Sequence, residues 1–191
     1  MKIPGLIILA VAILIIGGRW TYRNFFDSYH LATVEDGALY RDGVRSISQF
    51  KLAAQKTHVK TVVCLVDDNE IGHEPFADEI AYCRDNGIDV VRIAIPLGGW
   101  PEAGQIQQFL AITQDSSKQP VLVHCAQGVR RTGMMVAAYQ MTVLKFDKSK
   151  AEDAILAFGH SDRTVGDVRR FIETYDPDRE AMTEQLPMSQ E

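Results

Sequence analysis

The chain has 191 residues, 46% of them hydrophobic and 24% charged, with a formal net charge of −5. That length suits one domain of about 150 residues with short extras, large enough to bury a core without disulfides or metals. The acidic balance, with no basic run and no basic patch interleaved with aromatics, excludes the usual footprint of a nucleic-acid-binding protein.

The N-terminus departs from this average. Residues Ile3–Gly18 carry no charge and are bounded by Lys2 and Arg19. As a helix, Ile3–Trp20 would span about 27 Å, close to a hydrocarbon core of roughly 30 Å. Trp20 and Tyr22 suit a membrane interface. A cleaved signal peptide shares the charged start and apolar centre, but no small-x-small cleavage site precedes Arg19. Residues 1–20 are therefore expected to be a membrane anchor or signal segment, with an uncleaved anchor favoured. Lys2 and the α-amino group balance Arg19 and Arg23, so the positive-inside rule leaves the orientation open.

Residues 21–36 read as a connector that closes on the turn signal Asp36-Gly37. Ala38–Arg41 reads as a short strand ended by Asp42-Gly43. Ser48 is placed to cap a helix carrying Phe50, Leu52, Ala53 and Ala54. Val59–Val66 is a β-branched apolar run of the kind buried on both faces. It breaks at the acidic loop Asp67-Asp68-Asn69-Glu70. Pro75–Asn86 has Phe76, Ile80 and Cys83 at helical spacing and a stop at Gly87. Val90–Ile95 is a strand ended by Pro96. The loop Gly98-Gly99-Trp100-Pro101 leads to a helix over Ala103–Gln114. Val121–His124 is the central strand, and a helix follows over Thr132–Lys145. Residues 149–158 and 164–175 add two helical patterns, and 177–191 is a polar tail. Strands alternating with helices argue for an α/β fold. The expectation is a single domain over 37–176, with a largely parallel sheet of about four to five strands covered by helices on both faces.

Three cysteines occur, Cys64, Cys83 and Cys125, with no Cys-x-x-Cys or Cys/His metal spacing. The odd count gives no disulfide framework. Cys64 and Cys83 read as small buried residues, and no metal or cofactor is called for. Cys125 differs by its context. In His124-Cys125-Ala126-Gln127-Gly128-Val129-Arg130-Arg131-Thr132-Gly133 a cysteine stands where a buried strand ends and a helix begins. Residues Ala126–Arg131 can curl so that their N–H groups point inward at a helix N-terminus, a ready anion site. The same field favours a thiolate at Cys125. Arg131 can grip two phosphoryl oxygens, and more tightly as charge spreads in the transition state. Thr132 places a hydroxyl beside the sulfur, and Gly128 removes a side chain where the loop bends. His124 is read as ordering the loop by hydrogen bonding, with a satisfied core histidine as the alternative. Arg130 adds positive charge at the rim or is a solvated surface arginine. Trp100 lines the pocket or packs.

His-Cys-x-x-Gly-x-x-Arg-Thr at 124–132 resembles the active-site motif of the cysteine-dependent protein tyrosine phosphatases. The short chain and the opening Leu39–Gly43 look most like the compact dual-specificity branch, in particular its bacterial, membrane-anchored or exported members. The resemblance covers residues 35–175. It implies Cys125 as the nucleophile that becomes phosphocysteine, Arg131 as the phosphate ligand, and Thr132 as an aid to breakdown of the intermediate. A phosphorylated protein is the implied partner, with phosphotyrosine favoured and phosphoserine or phosphothreonine open. The implied location is a bacterial inner membrane, with the side left open and the periplasmic one favoured by the resemblance. Two other readings stay open: a catalytically weak phosphate-binding module, and a phosphatase of phosphoinositides or other small phosphoesters.

The family's proton-donating aspartate has no counterpart in Pro96-Leu97-Gly98-Gly99-Trp100-Pro101-Glu102. Glu102 is the one carboxylate there and can transfer a proton if its pKa is raised. Alternatively it favours the helix N-terminus electrostatically. Asp67 and Asp68, at the carboxyl end of a predicted strand, are other candidates, and Asp162 is a weaker one.

Overall fold

The computed structural model describes residues 11, 18, 29–156 and 162–178, without the side chains of 156 and 162–164. Five strands form one sheet: β1 (Tyr29–Glu35), β2 (Leu39–Gly43), β3 (Thr61–Cys64), β4 (Asp89–Arg92) and β5 (Val121–Cys125), in the order β1-β2-β5-β3-β4. Only the β1–β2 pair is antiparallel. Helices α1 (Ile47–Thr57) and α2 (Phe76–Asp85) cover one face. Helices α3 (Ala103–Gln114), α4 (Arg130–Thr142), α5 (Lys148–Leu156) and α6 (Asp162–Thr174) cover the other. The expected fold class is thus present, as a five-stranded, mostly parallel sheet between two helical layers.

The sheet divides the core. On one side Leu39, Val63, Val121 and Val123 pack against Phe109 and the almost fully buried α4. On the other, Val62, Cys64 and Leu122 pack against Phe50, Ala53, Phe76 and Cys83. Alternate residues of one strand therefore serve both layers, which is why the central strands read as unbroken apolar runs.

Two local expectations are corrected. Residues 29–35 lie within the expected connector, yet they form β1. Thr33 stands opposite Tyr40 in the ladder, and the Tyr139 hydroxyl of α4 bonds the Glu35 carboxylate. That pairing is non-local and leaves no periodic mark of its own. Helix α1 is capped by Ser46, not Ser48: the Ser46 hydroxyl accepts the Gln49 N–H at 3.3 Å, and His58 ends the helix in the left-handed region. Among the described residues no helix is long and apolar enough to cross a membrane. The expected anchor, residues 1–20, lies outside them apart from 11 and 18, and the tail is described only at 177–178.

The sheet delivers the ends of β2, β5 and β3 to one place. Gly43 stands opposite Cys125, and His124 stands between Asp42 and Cys64. Asp42-Gly43, read from sequence as a turn, is the last pair of β2, and its backbone touches the loop after β5. A Cβ on Gly43 would lie 2.6 Å from the Gln127 carbonyl. A Cβ on Gly128, which has φ +68°, would lie 2.3 Å from the Asp42 oxygen. Gly128 therefore gives room to a neighbouring strand, besides allowing the bend. Gly43→Ala is expected to destabilise the domain by about 1–3 kcal/mol, lowering the thermal midpoint by roughly 2–4 °C per kcal/mol. An unchanged midpoint in calorimetry would show that the contact relaxes freely.

Candidate active site

Strand β5 ends at Cys125, and α4 starts at Arg130 with Val129 as its N-cap residue. Between them the loop turns around the cysteine sulfur: the Gly128 N–H donates to Cys125 Sγ at 3.2 Å. The carbonyls are held from outside. Arg41 donates to the Gly128 oxygen at 2.7 Å, and the His30 ring Nδ1 donates to the Gln127 oxygen at 2.8 Å. With the oxygens bound outward, the N–H groups of the same peptides turn inward, as an anion site requires. Ala126 is half-buried, Gln127 exposed and Val129 buried, so these residues contribute chiefly backbone.

The Cys125 thiol is nearly enclosed, at 3% exposure. Burial pushes its pKa up, but the Thr132 hydroxyl, the Arg131 charge and the N–H groups of Thr132 and Gln127 together bring it below the ordinary thiol value. The buried Thr132 hydroxyl lacks another polar partner and lies beside this sulfur. Cys64 and Cys83 are buried in the core, as expected. Burial, with Glu79 nearby, pushes the Cys83 thiol up to about 12.

Arg131, at 4% exposure, has most of its donors accounted for. Nη1 and Nη2 form a two-pronged ion pair with Glu70, the Nη2–Oε1 distance being 2.9 Å. Nη1 also donates to the Ile95 carbonyl at 3.2 Å. The end-on edge of the guanidinium thus belongs to Glu70. The side-on edge, Nε with the second Nη2 hydrogen, meets no protein acceptor among the described residues. That edge matches the oxygen spacing of a phosphoryl group. Burial alone would lower the Arg131 pKa, but Glu70 and the Cys125 thiolate raise it. In return, the Glu70 carboxyl is held below its usual value by Arg131.

His124 supports the loop indirectly. Its Nε2 meets Glu79 Oε1 of α2 at 2.8 Å, with both side chains fully buried. Phe50 and Phe76 flank the imidazole. Burial opposes the charged imidazole, yet Glu79 and Cys64 hold its pKa well above the usual value. Cys64, Glu79 and His124 bring donor atoms within 4.8 Å of one another. They are the only buried trio among the described residues suited to a cation, but the His124–Glu79 pair already balances its own charge. Beside them Asp42 is fully buried, and burial pushes its pKa up to about 8 despite the nearby Gly43 N–H and His124.

The carboxylates expected to donate a proton are otherwise engaged. Glu102 is the N-cap of α3 in a reciprocal capping box, with its own N–H donating to Gln105 Oε1 at 2.9 Å. Asp67 accepts the N–H groups of Asn69, Glu70 and Leu97, which hold its pKa below the usual carboxylate range. Asp68 pairs with Arg92 at 2.7 Å. The side chain of Asp162 lies outside the described residues. Arg130 is half-buried with its donors engaged. Its Nε pairs with Asp167 at 2.7 Å, and its Nη groups donate to the Gly99 and Gly98 carbonyls at 2.8 and 2.6 Å. Trp100 packs edge-on against Phe171.

Sequence reasoning gave no site role to Glu70, Glu79, Arg41, His30 or Gly43. Glu70 lies in the acidic loop whose first two members were candidates, and Arg41 and Gly43 lie in the opening Leu39–Gly43 that carried part of the resemblance. His30 and Glu79 carry no local signal.

Two measurements follow from these charges. Near neutral pH, iodoacetamide is expected to label Cys125 well ahead of Cys64 and Cys83. Its rate should level off below the ordinary thiol range of about 8.5, and inorganic phosphate should protect it; peptide mapping that finds all three equally labelled would refute the thiolate. The raised Asp42 pKa contributes stability below the unfolded carboxyl value near 4, lost as pH rises toward about 8. Asp42→Asn should therefore raise the thermal midpoint more at pH 7.5 than at pH 4.5.

The model of a family described as "DSP-PTPase phosphatase fused to NAD+ Kinase" matches residues 32–173. Rice "Probable NAD kinase 2, chloroplastic" is 32% identical over 69 residues, 36% of this chain and 7% of that protein. The chain thus spans a small part of that relative. "Dual specificity protein phosphatase TpbA" of Pseudomonas aeruginosa strain UCBPP-PA14 is 27% identical over 124 residues, 65% of this chain and 52% of that one. Among solved structures, the catalytic domain of the S. cerevisiae PP-IP phosphatase SIW14 superposes with a TM-score of 0.67 at 18% identity, covering 83% of this chain and 92% of that chain. A family match over residues 32–173, a span that contains the strand–loop–helix around the Cys125 sulfur, places this chain in that dual-specificity phosphatase family.

Proposed function

We propose that the protein is a cysteine-dependent phosphatase that cleaves phosphate esters, phosphotyrosine in proteins first among them, through a phosphocysteine intermediate. One arrangement carries this reading: the Cys125 sulfur accepts the Gly128 N–H and lies beside the Thr132 hydroxyl and the Arg131 charge, which hold its pKa down, while the side-on edge of Arg131 stays open. The Cys125 thiolate attacks phosphorus, the S–P bond forms, and the ester oxygen leaves with its electron pair. Ala126, Gln127, Gly128 and Val129 bind the equatorial oxygens through backbone N–H groups, and Arg131 binds two of them. Water then attacks phosphorus, and the thiolate departs with the Thr132 hydroxyl stabilising it.

In this reading Glu102 is a helix cap, and Arg130 positions the Pro96–Glu102 loop. Ile3–Trp20 serves as a membrane anchor, supported by its uncharged length. The full chain should then sediment with membranes and be released by detergent but not by salt.

Cys125→Ser should lower kcat on an aryl phosphate by about 10⁴-fold or more, with the wild type unaffected by chelator. Arg131→Lys should cost about 10²–10³-fold. Hydrolysis that survives Cys125→Ser would overturn the mechanism. Glu102→Gln should cost up to about 1 kcal/mol of stability and leave the ratio of aryl to alkyl phosphate turnover unchanged. A selective loss on the alkyl ester would instead make Glu102 the proton donor.

A further inference from the structure

The described residues expose three large apolar side chains: Val11, Leu97 and Trp100. Val11 precedes the folded domain. The domain's own two, Leu97 at 76% and Trp100 at 38% exposure, lie on one loop of seven residues, Pro96–Glu102. Isolated apolar residues on a surface are ordinary. A pair confined to one loop beside an anion site is a different distribution.

That loop is tied to the site by hydrogen bonds at successive residues. The Ile95 carbonyl accepts Arg131 Nη1 at 3.2 Å. The Leu97 N–H donates to Asp67 Oδ2 at 3.1 Å. The Gly98 and Gly99 carbonyls accept Arg130 at 2.6 and 2.8 Å, and the Gly99 N–H returns to the Pro96 carbonyl at 2.8 Å. Leu97 is two residues from Ile95, at most about 7 Å along the chain. The backbone is therefore held close to the phosphate-binding guanidinium, while the Leu97 side chain stays in solvent. One side of Trp100 rests on Phe171, and the remainder is open.

The charges nearby favour one kind of occupant. Asp67, Asp68 and Glu70 place three carboxylates on the neighbouring loop. Two neighbouring cations are already paired with carboxylates: Arg92 with Asp68 and Arg130 with Asp167. A first phosphate meets Arg131 and the loop N–H groups. A second phosphate nearby would meet carboxylates.

We propose that Leu97, with the exposed edge of Trp100, forms an apolar shelf beside the phosphate loop that receives the uncharged body of the substrate, so that the site selects an aromatic phosphate ester on a polypeptide over polyanionic phosphoesters. The shelf rests on the reading of Cys125 and Arg131 as the phosphate-transfer centre, and it assigns the substrate class of that centre. The loop in which related phosphatases keep a proton donor here presents Leu97-Gly98-Gly99, an apolar contact followed by two residues without side chains.

The test compares wild type, Leu97→Ser and Leu97→Lys in the full chain on a phosphotyrosine peptide and on inositol hexakisphosphate, with inhibition by inorganic phosphate as a reading of the phosphate loop alone. Covering a leucine is a large enough effect that Leu97→Ser should raise KM for the peptide about tenfold or more. The inhibition constant of inorganic phosphate and the thermal midpoint should stay unchanged, because the side chain is exposed. The preference for peptide over inositol hexakisphosphate should fall with Leu97→Ser and fall further with Leu97→Lys. The shelf is overturned if Leu97→Ser leaves the peptide KM within about twofold, or if peptide, inositol hexakisphosphate and inorganic phosphate all shift together. Hydrolysis by Cys125→Ser would instead remove the underlying mechanism, so the two failures are separable.

Discussion

The close approach of two backbones, the end of β2 and the loop after β5, is the constraint on which the site depends. Gly43 and Gly128 face each other with no room for a Cβ on either. This contact brings Arg41 to the Gly128 carbonyl and sets β1 behind β2, so that His30 reaches the Gln127 carbonyl. Peptide groups have two ends. Fixing the oxygens on the outside fixes the N–H groups on the inside before any anion arrives. Such a loop need not reorganise to bind phosphate or to stabilise a thiolate, and preorganisation of this kind is where electrostatic catalysis obtains most of its effect.

Around that loop the charges are arranged in two layers. Facing the site, Glu70 holds Arg131 by its end-on edge and leaves the side-on edge to a ligand. Behind the sheet, the His124–Glu79 pair and the neutral-leaning Asp42 fill a closed polar pocket among Phe50, Phe76 and Cys64. Buried charges of this sort are costly unless paired. Their position at the residue preceding Cys125 links α2 to the loop, although α2 contributes no group to the site itself. Arg130 performs a third task, joining the start of α4 to α6 and to the Gly98-Gly99 carbonyls. Adjacent arginines of one motif thus face different ways: one toward Glu70 and the cysteine loop, the other toward the Gly98-Gly99 carbonyls.

The layered α/β architecture was legible because burial on both faces of a parallel sheet leaves apolar runs in the chain, and Val62–Leu65 and Val121–Val123 are such runs. The edges were less legible. Strand β1 has one neighbour and a broken register, so its residues keep a mixed character that reads as connector. The sequence pointed to Ser48 as the cap, and the direction of the chain into α1 selects Ser46. Among the carboxylates, the family resemblance pointed to Glu102 because it is the one carboxylate in the loop Pro96–Glu102. The structure instead shows each candidate with a described side chain bonded to particular N–H or guanidinium groups.

The sequence by itself determined the strand–loop–helix at 121–142, the cysteine at its centre and the arginine six residues on, because a phosphate loop is built from contiguous residues whose order sets its geometry. It also determined that Gly128 must lack a side chain, though not against what. Only the tertiary structure decided which groups serve that loop. His30 with Gln127, Arg41 with Gly128, Glu70 with Arg131 and Glu79 with His124 lie between 45 and 97 residues apart in the chain. No spacing rule connects such pairs. They meet because the sheet order sets β2 and β3 on either side of β5, and a side chain acquires a partner, a pKa and a role only from the neighbours that this order supplies.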